Sequence, residues 1–301
     1  MLSHPIIRPV CLAFLGIVAL SSLAHAQSPT LERIAKSGTI TLGYRESSIP
    51  FSYLNASQQP VGISIDLCRS IAAEVKEKLK LPNLAINYVA VNASNRIPLI
   101  QNGTIDIECG STTNTVERQK QVAFSVATFV VEPNWLVSAE SGIANIEGLK
   151  GKTVVITQGS LNLPIGERLS KELGLNLVIV QAKEQADSLL MLRTGRAAAW
   201  FEDNILQAGL VANAPNPKAF KVLPGAHGAL YFYGLMMAKD DPVFKALVDG
   251  VISAKMASGE FDRLYDTWFM QPIPPSGQTI SLPMSDAMRA RVAHPSDALT
   301  P

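Results

Sequence analysis

The sequence predicts an α/β protein of two lobes, each built on a mostly parallel sheet, joined by a two-strand hinge with a ligand cleft between them. Three observations carry this expectation. Runs with strand-like alternation recur between runs of helical periodicity, which is the pattern of βα units. The series occurs twice, with a break after Val137 where the chain changes to Ser138-Ala139-Glu140-Ser141-Gly142. Two apolar stretches, near 130–137 and 229–237, connect the halves, as a hinged pair requires. The expected division is a leader over 1–26, a first lobe over 27–137 and 230–301, and a second lobe over 138–229.

The leader comes first in the chain. MLSHPIIRPV carries one cation, Arg8, before the apolar CLAFLGIVAL, and Ala24-His25-Ala26 supplies small residues for cleavage. These are the parts of a secretory signal peptide, cut after Ala26, which predicts export to the periplasm. A membrane anchor is the competing reading, weakened because the apolar run falls short of the ~20 residues that span a bilayer.

In the first lobe, a short helix over Leu31–Lys36 precedes the strand Thr39–Tyr44, and Arg45 to Phe51 forms a loop at that strand's carboxyl end. Ile65, Cys68, Ile71, Ala72, Val75 and Leu79 recur at helical spacing, with Arg69, Glu74, Lys76 and Lys78 facing away. The strand Ala85–Val91 leads to a short helix from Asn95 that Gly103 ends, and Ile105 to Cys109 alternates like a strand. Asn114 and Glu117 stand at capping-box spacing, so a helix begins near Thr115. That places Arg118 in a helix's first turn, where the dipole disfavours a cation and a negative neighbour is expected.

The second lobe starts with the strand Leu149–Thr157 and its turn Gln158-Gly159-Ser160-Leu161, which opens a helix over Pro164–Leu173. A strand over Leu177–Val180 and a helix over Glu184–Arg193 follow. Ala197 to Phe201 is an apolar strand that delivers Glu202 and Asp203 to its end. The return strand Ala229–Met237 precedes charged helices over Asp241–Ser258 and Gly259–Phe269. The tail, with Pro272, Pro274 and Pro275, is expected to wrap the surface and not to form another domain.

The 301 residues, 47% of them hydrophobic, suffice for two cores. Removing residues 1–26 takes away Arg8 and brings the formal charge from +1 to zero, which argues against nucleic acid as a partner. Only His227 and His294 remain, with Cys68 and Cys109, so no metal-ligand spacing is present and no metal or cofactor is expected. In an oxidising compartment the two cysteines either form a disulfide or remain buried thiols.

Ligands of open α/β sheets gather at the carboxyl ends of strands. That places Arg45, Arg96, Ser111, Thr113 and Arg118 at one lobe's mouth, and Ser160 and Asp203 at the other's. Guanidinium groups hold carboxylates by paired, charge-assisted hydrogen bonds, and an acid suits an ammonium. A small molecule with two carboxylates and one amine matches this set. Each residue also has a purely structural reading. Ser111, Thr113 and Asn114 could end a strand and cap a helix, Arg118 could pair with Glu117 or Glu108, Arg45 with Glu46, Arg96 could cover helix surface, and Asp203 could be a turn residue.

The chain resembles the solute-binding proteins of amino-acid ABC importers, above all those for glutamate and aspartate. The likeness rests on Gly43 to Tyr53, on Asn95 to Gly103 and on Glu108 to Gln121. It continues through Ala182-Lys183, Asp187-Ser188, Gly195-Arg196-Ala197, Lys239 to Pro242 and Pro272 to Pro275. The resemblance implies a type II periplasmic-binding fold. It also implies that Thr113 and Arg118 hold the ligand's α-carboxylate, Ser111 and Asp203 its ammonium, and Arg45 with Arg96 its side-chain carboxylate. Three positions depart from the family's pattern: Ala93 replaces a serine, Gln185, also expected to line the site, replaces a histidine, and Leu161 replaces a threonine. The expected function is therefore a monomeric, non-enzymatic binding protein that delivers an acidic amino acid to an inner-membrane ABC permease. The rival reading is a dehydratase-like enzyme on the same fold acting on prephenate- or arogenate-type substrates. It would need a general acid in the cleft, for which Glu46, Glu108 and Glu202 are the candidates besides Asp203.

Overall fold

The structure, a computed structural model, describes residues 28–225 and 227–300, so the expected signal peptide lies outside the described residues. In the first lobe, Ser28 caps α1 (Pro29–Ser37) by accepting from the Leu31 amide, and β1 (Thr39–Tyr44) follows. A small three-stranded sheet of β2 (Ser47–Ser48), β3 (Ser52–Leu54) and β4 (Pro60–Val61) occupies the expected loop. Then come α2 (Ile63–Leu79), β5 (Ala85–Ala90), α3 (Arg96–Gln101), β6 (Ile107–Glu108), α4 (Val116–Gln119) and β7 (Val122–Phe124). The helix at Arg118 starts one residue later than expected. Its cap is the Thr115 hydroxyl, which accepts from the Arg118 amide, whereas the Asn114 side chain donates to the Asp297 carbonyl.

The chain crosses to the second lobe through β8 (Phe129–Val131). The second lobe comprises β9 (Pro133–Ser138), β10 (Thr153–Thr157), α5 (Asn162–Glu172), β11 (Val178–Ala182), α6 (Gln185–Arg193), β12 (Ala199–Asp203), α7 (Asn204–Ala212) and β13 (Phe220–Val222). It returns through β14 (Tyr231–Tyr233) to β15 (Met236–Ala238), α8 (Pro242–Ala257), α9 (Glu260–Tyr265) and α10 (Asp286–Ala293).

Each lobe has a five-stranded sheet. The first runs β5-β1-β6-β15-β7, with β1 parallel to β5 and β6 and with β15 antiparallel to its neighbours. The second runs β11-β10-β12-β9-β13, with β10 parallel to β11 and β12 and with β9 antiparallel. The crossing strands β8 and β14 pair antiparallel, Phe129 opposite Tyr233 and Val131 opposite Tyr231. Because β9 hydrogen-bonds to β12 and β13, the whole of 133–138 lies in the second sheet, and the boundary drawn after Val137 falls inside that strand.

Packing explains the order. Ile65, Cys68, Ile71, Ala72 and Val75 of α2 are buried, as the helical spacing requires. A disulfide joins Cys68 to Cys109 across a Cα separation of 6.1 Å, which ties α2 to the loop that leaves β6. Beneath the hinge, the rings of Phe51, Phe129, Tyr233, Tyr265 and Phe269 form one cluster, with Phe51 to Phe129 at 5.0 Å and Tyr265 to Phe269 at 4.2 Å between centroids. The tail adds no further sheet, but it includes the unexpected α10. Its Met288 is buried and its Arg291 guanidinium lies 4.3 Å over the Phe232 ring of the hinge. Among the described residues no helix is long and apolar enough to cross a membrane.

Closing a loop with a sequence separation of 41 residues removes about 4 kcal/mol of chain entropy from the unfolded state in the loop-closure model. Replacing both Cys68 and Cys109 by alanine is expected to lower the melting temperature by on the order of 10 °C, and a reductant is expected to lower that of the wild type alone. Thermal denaturation followed by circular dichroism, with and without reductant, measures both.

Candidate functional site

The carboxyl ends of the parallel strands in both lobes face each other. The first lobe contributes Arg45 just past β1, Arg96 at the start of α3, the segment Glu108 to Thr113 leaving β6, and Arg118 on α4. The second contributes Thr157 to Ser160 at the end of β10, Glu184 and Gln185 at the start of α6, and Glu202 and Asp203 at the end of β12. Tyr233 enters from the hinge. Close backbone approaches hold the lobes together. A Cβ on Gly159, whose φ is +74°, would lie 2.8 Å from the Ala93 carbonyl, and one on Gly209 would lie 2.3 Å from the Ile49 carbonyl oxygen.

The three guanidinium groups converge here. Arg45 is 1% exposed, and its Nη2 donates at 2.8 Å to both Glu184 Oε2 and Gln185 Oε1, across the cleft. Arg96, 3% exposed, donates from Nη1 to the Thr112 hydroxyl, and that hydroxyl donates to Glu108 Oε2 at 2.7 Å. Glu108 Oε1 lies 3.9 Å from Arg96 Nη1. Arg118 meets carbonyls: Nη1 donates to Thr113 at 2.8 Å and Nη2 to Gly159 of the other lobe at 3.1 Å. Burial first, then the Arg118 charge, pushes the Arg96 guanidinium down to about 9, with Glu108 opposing and Arg45 adding to the shift. Burial also lowers Arg118, against the pull of Glu108 and Asp203. Two buried cations and the half-buried Arg118 thus meet around Arg96, and Arg45 Nε, Arg96 Nε and Ser111 Oγ are buried there without a partner. Such atoms are costly unless something accepts from or donates to them.

Opposite them sits an acid pair. Asp203 Oδ2 accepts from the Tyr233 hydroxyl, and its Oδ1 accepts from Asn162 Nδ2 at 3.1 Å. Glu202 accepts from Thr157 Oγ1 at 2.7 Å, from Asn162 Nδ2 at 2.6 Å and from the Asp203 amide at 3.1 Å. Burial raises Glu202 to about 7, and the Asp203 charge adds to it. Burial raises Asp203 as well, but Tyr233, Asn162, Arg118 and Arg96 stabilise its anion. Both carboxyls are therefore pushed up by burial, and the two acids resist carrying charge together.

The structure brings Arg45, Arg96, Ser111, Thr113, Arg118, Gln185 and Asp203 to this cleft. Ser160 is at its edge, with its hydroxyl turned back to the Thr157 carbonyl at 2.7 Å. The surface pairings considered for the arginines do not form: Glu117 takes Lys120 instead, and Glu46 is exposed. Glu184, Thr112, Asn162 and Tyr233 were not singled out by the sequence. Glu184 had one available signal, as a carboxylate in the N-cap place immediately before α6.

Known proteins supply the comparison. The pattern of the bacterial extracellular solute-binding proteins, family 3, matches residues 40–271. The "Glutamate/aspartate import solute-binding protein" of Escherichia coli is 42% identical over 282 residues, covering 94% of this chain and 93% of that protein. The "L-glutamate/L-aspartate-binding protein" of Pseudomonas aeruginosa is 42% identical over 295 residues, covering 97% of each. A crystal structure of a mutant ArgBP from T. maritima superposes with a TM-score of 0.70 at 25% identity, over 80% of this chain and all of that one.

The raised Glu202 carboxyl gives a pH prediction with a definite sign. A carboxyl whose folded-state value lies above its unfolded one contributes stability below the ordinary 4.5, and this is lost as pH rises through about 7. The isosteric Glu202→Gln, which keeps the neutral form at every pH, should flatten the fall in melting temperature between pH 5 and 8 relative to the wild type. Parallel melting curves at several pH values check this.

Proposed function

The chain belongs to the bacterial extracellular solute-binding proteins, family 3, and on that premise we propose that it binds an acidic amino acid, glutamate or aspartate, between its lobes and delivers it to an inner-membrane ABC permease. The observation that carries this reading is the convergence of Arg45, Arg96 and Arg118 on one crevice opposite the carboxyl of Asp203. Arg118, with Thr113, takes the α-carboxylate; it makes no ion pair among the described residues, so it has a charge to match. Asp203 and the unpartnered Ser111 hydroxyl take the ammonium. Arg96 and Arg45 face the distal carboxylate. The likeness to proteins named for glutamate and aspartate supports the same assignment.

Binding and closure are one process on this reading. The first lobe supplies the cations, while Asp203 and the Gly159 carbonyl arrive from the second. A ligand that contacts both lobes favours the closed arrangement by its differential affinity for it. Micromolar affinity, about −8 kcal/mol, needs only a few charge-assisted bonds beyond the association cost. The protein works as a monomer in the periplasm and performs no chemistry.

The acids weighed for an enzyme are unsuited to it. Glu46 is exposed, Glu108 is buried beside Arg96, and both oxygens of Glu202 are committed to Thr157, Asn162 and the Asp203 amide. None is free to protonate a leaving group.

Arg118→Ala is expected to weaken amino-acid binding by roughly a hundredfold or more, the cost of an unpaired buried carboxylate, while leaving the circular dichroism spectrum unchanged. Calorimetric titration with glutamate and aspartate measures it, and an unaltered affinity removes the carboxylate role. A thermal-shift screen of the twenty amino acids tests the ligand class.

A further inference from the structure

The distal end of the cleft carries a carboxylate of its own. Glu184 belongs to the second lobe, in the N-cap place of α6, where a capping box with Asp187 fixes its backbone. Its side chain nevertheless reaches across the cleft to Arg45, with Oε2 at 2.8 Å from Nη2 and 3.4 Å from the Ser47 hydroxyl. Gln185 Oε1 takes the same Nη2 from the other side and meets the Ser48 hydroxyl at 3.4 Å. Both acceptors therefore sit on the guanidinium that, on the reading above, would serve the ligand's second carboxylate.

A charge balance around the cleft sharpens the point. Arg45 is matched by Glu184 at 2.8 Å, and Arg96 has Glu108 at 3.9 Å. Among the described residues Asp203 forms no ion pair and is held by Tyr233 and Asn162, and Arg118 is bonded only to carbonyls. The α-ammonium and α-carboxylate thus meet an acid and a cation that no ion pair engages, whereas the distal group meets two cations that protein carboxylates already face. A second carboxylate on the ligand would share Arg45 with Glu184, and two carboxylates at one buried guanidinium repel each other. A carboxamide at the same place brings no such penalty.

We propose that Glu184 is a specificity-determining residue: its carboxylate occupies Arg45 across the cleft, so the site discriminates less between an acidic amino acid and its amide than its arginines alone would dictate. The assignment rests on the amino-acid-binding reading above. Glu184 acts through Arg45 and is a positioning residue, not a direct ligand contact.

The test compares the wild type with Glu184→Gln and Glu184→Asp, titrating each with glutamate, glutamine, aspartate and asparagine by calorimetry. Glu184→Gln removes the charge. Glu184→Asp keeps a strong capping residue for α6 while drawing the carboxylate back from Arg45 by one methylene. Both should bind glutamate about tenfold tighter, the scale of one charge-assisted bond regained, with glutamine changed less than about threefold, so the glutamate-to-glutamine ratio rises. Melting temperatures near that of the wild type establish that both variants fold, and either one alone decides the matter. A ratio that stays constant or falls, with binding intact, overturns the assignment of Glu184 and leaves the binding function standing. Failure of the wild type to bind any of the four overturns both.

Discussion

Gathering three guanidinium groups between two lobes, Arg45 and Arg96 buried and Arg118 half-buried, is the constraint on which the rest of this structure depends. Arg45 and Arg96 lose their hydration and the three cations repel one another, so the arrangement holds only where neighbouring acceptors and acids compensate. The compensation is specific. Glu108 and Thr112 serve Arg96 from within the first lobe, Glu184 and Gln185 serve Arg45 from the second, and two carbonyls serve Arg118. The interactions that cross between lobes stabilise only the approached state, which makes closure sensitive to whatever charge enters the cleft.

The architecture supplies the freedom and the limits of that motion. Among the described residues β8 and β14 are the strand pair between the two large sheets, and the aromatic cluster around Phe129 and Tyr233 packs beneath them. Tyr233 belongs to both functions: its ring is part of the hinge cluster and its hydroxyl donates to Asp203. The tail is anchored to the same place, with Arg291 over Phe232 and the Ser296 carbonyl accepting from the Ala127 amide. Lobe geometry and ligand chemistry are therefore coupled through a small set of side chains at the crossing.

Much of this was legible in the sequence, and what was not has physical reasons. The helices at 63–79 and 242–257 follow from periodicity, because each buries a regular face, and the strands at 39–44, 85–90 and 153–157 from short runs rich in apolar and β-branched residues. The helix Asn204–Ala212 was missed because its apolar residues pack on both lobes and leave little polar face to mark the period. The cap at Thr115 was assigned to Asn114 because both residue types cap helices; the choice went to Thr115 once Asn114 had been drawn to Asp297 of the tail, a contact 183 residues distant. The lobe boundary was misplaced because β9 reads as an apolar run whichever sheet it joins.

By itself the sequence determined the βα order, the doubled organisation and the inventory of cations at strand ends, since these depend on local spacing and on the chemistry of single residue types. Only the tertiary structure decided which acid meets which arginine. The pairing of Arg45 with Glu184 spans 139 residues and two lobes, and that of Tyr233 with Asp203 joins hinge to strand end. Such partners are selected by where the folded sheets place them and by the cost of leaving a buried charge unmatched, and neither quantity has any signature in local sequence.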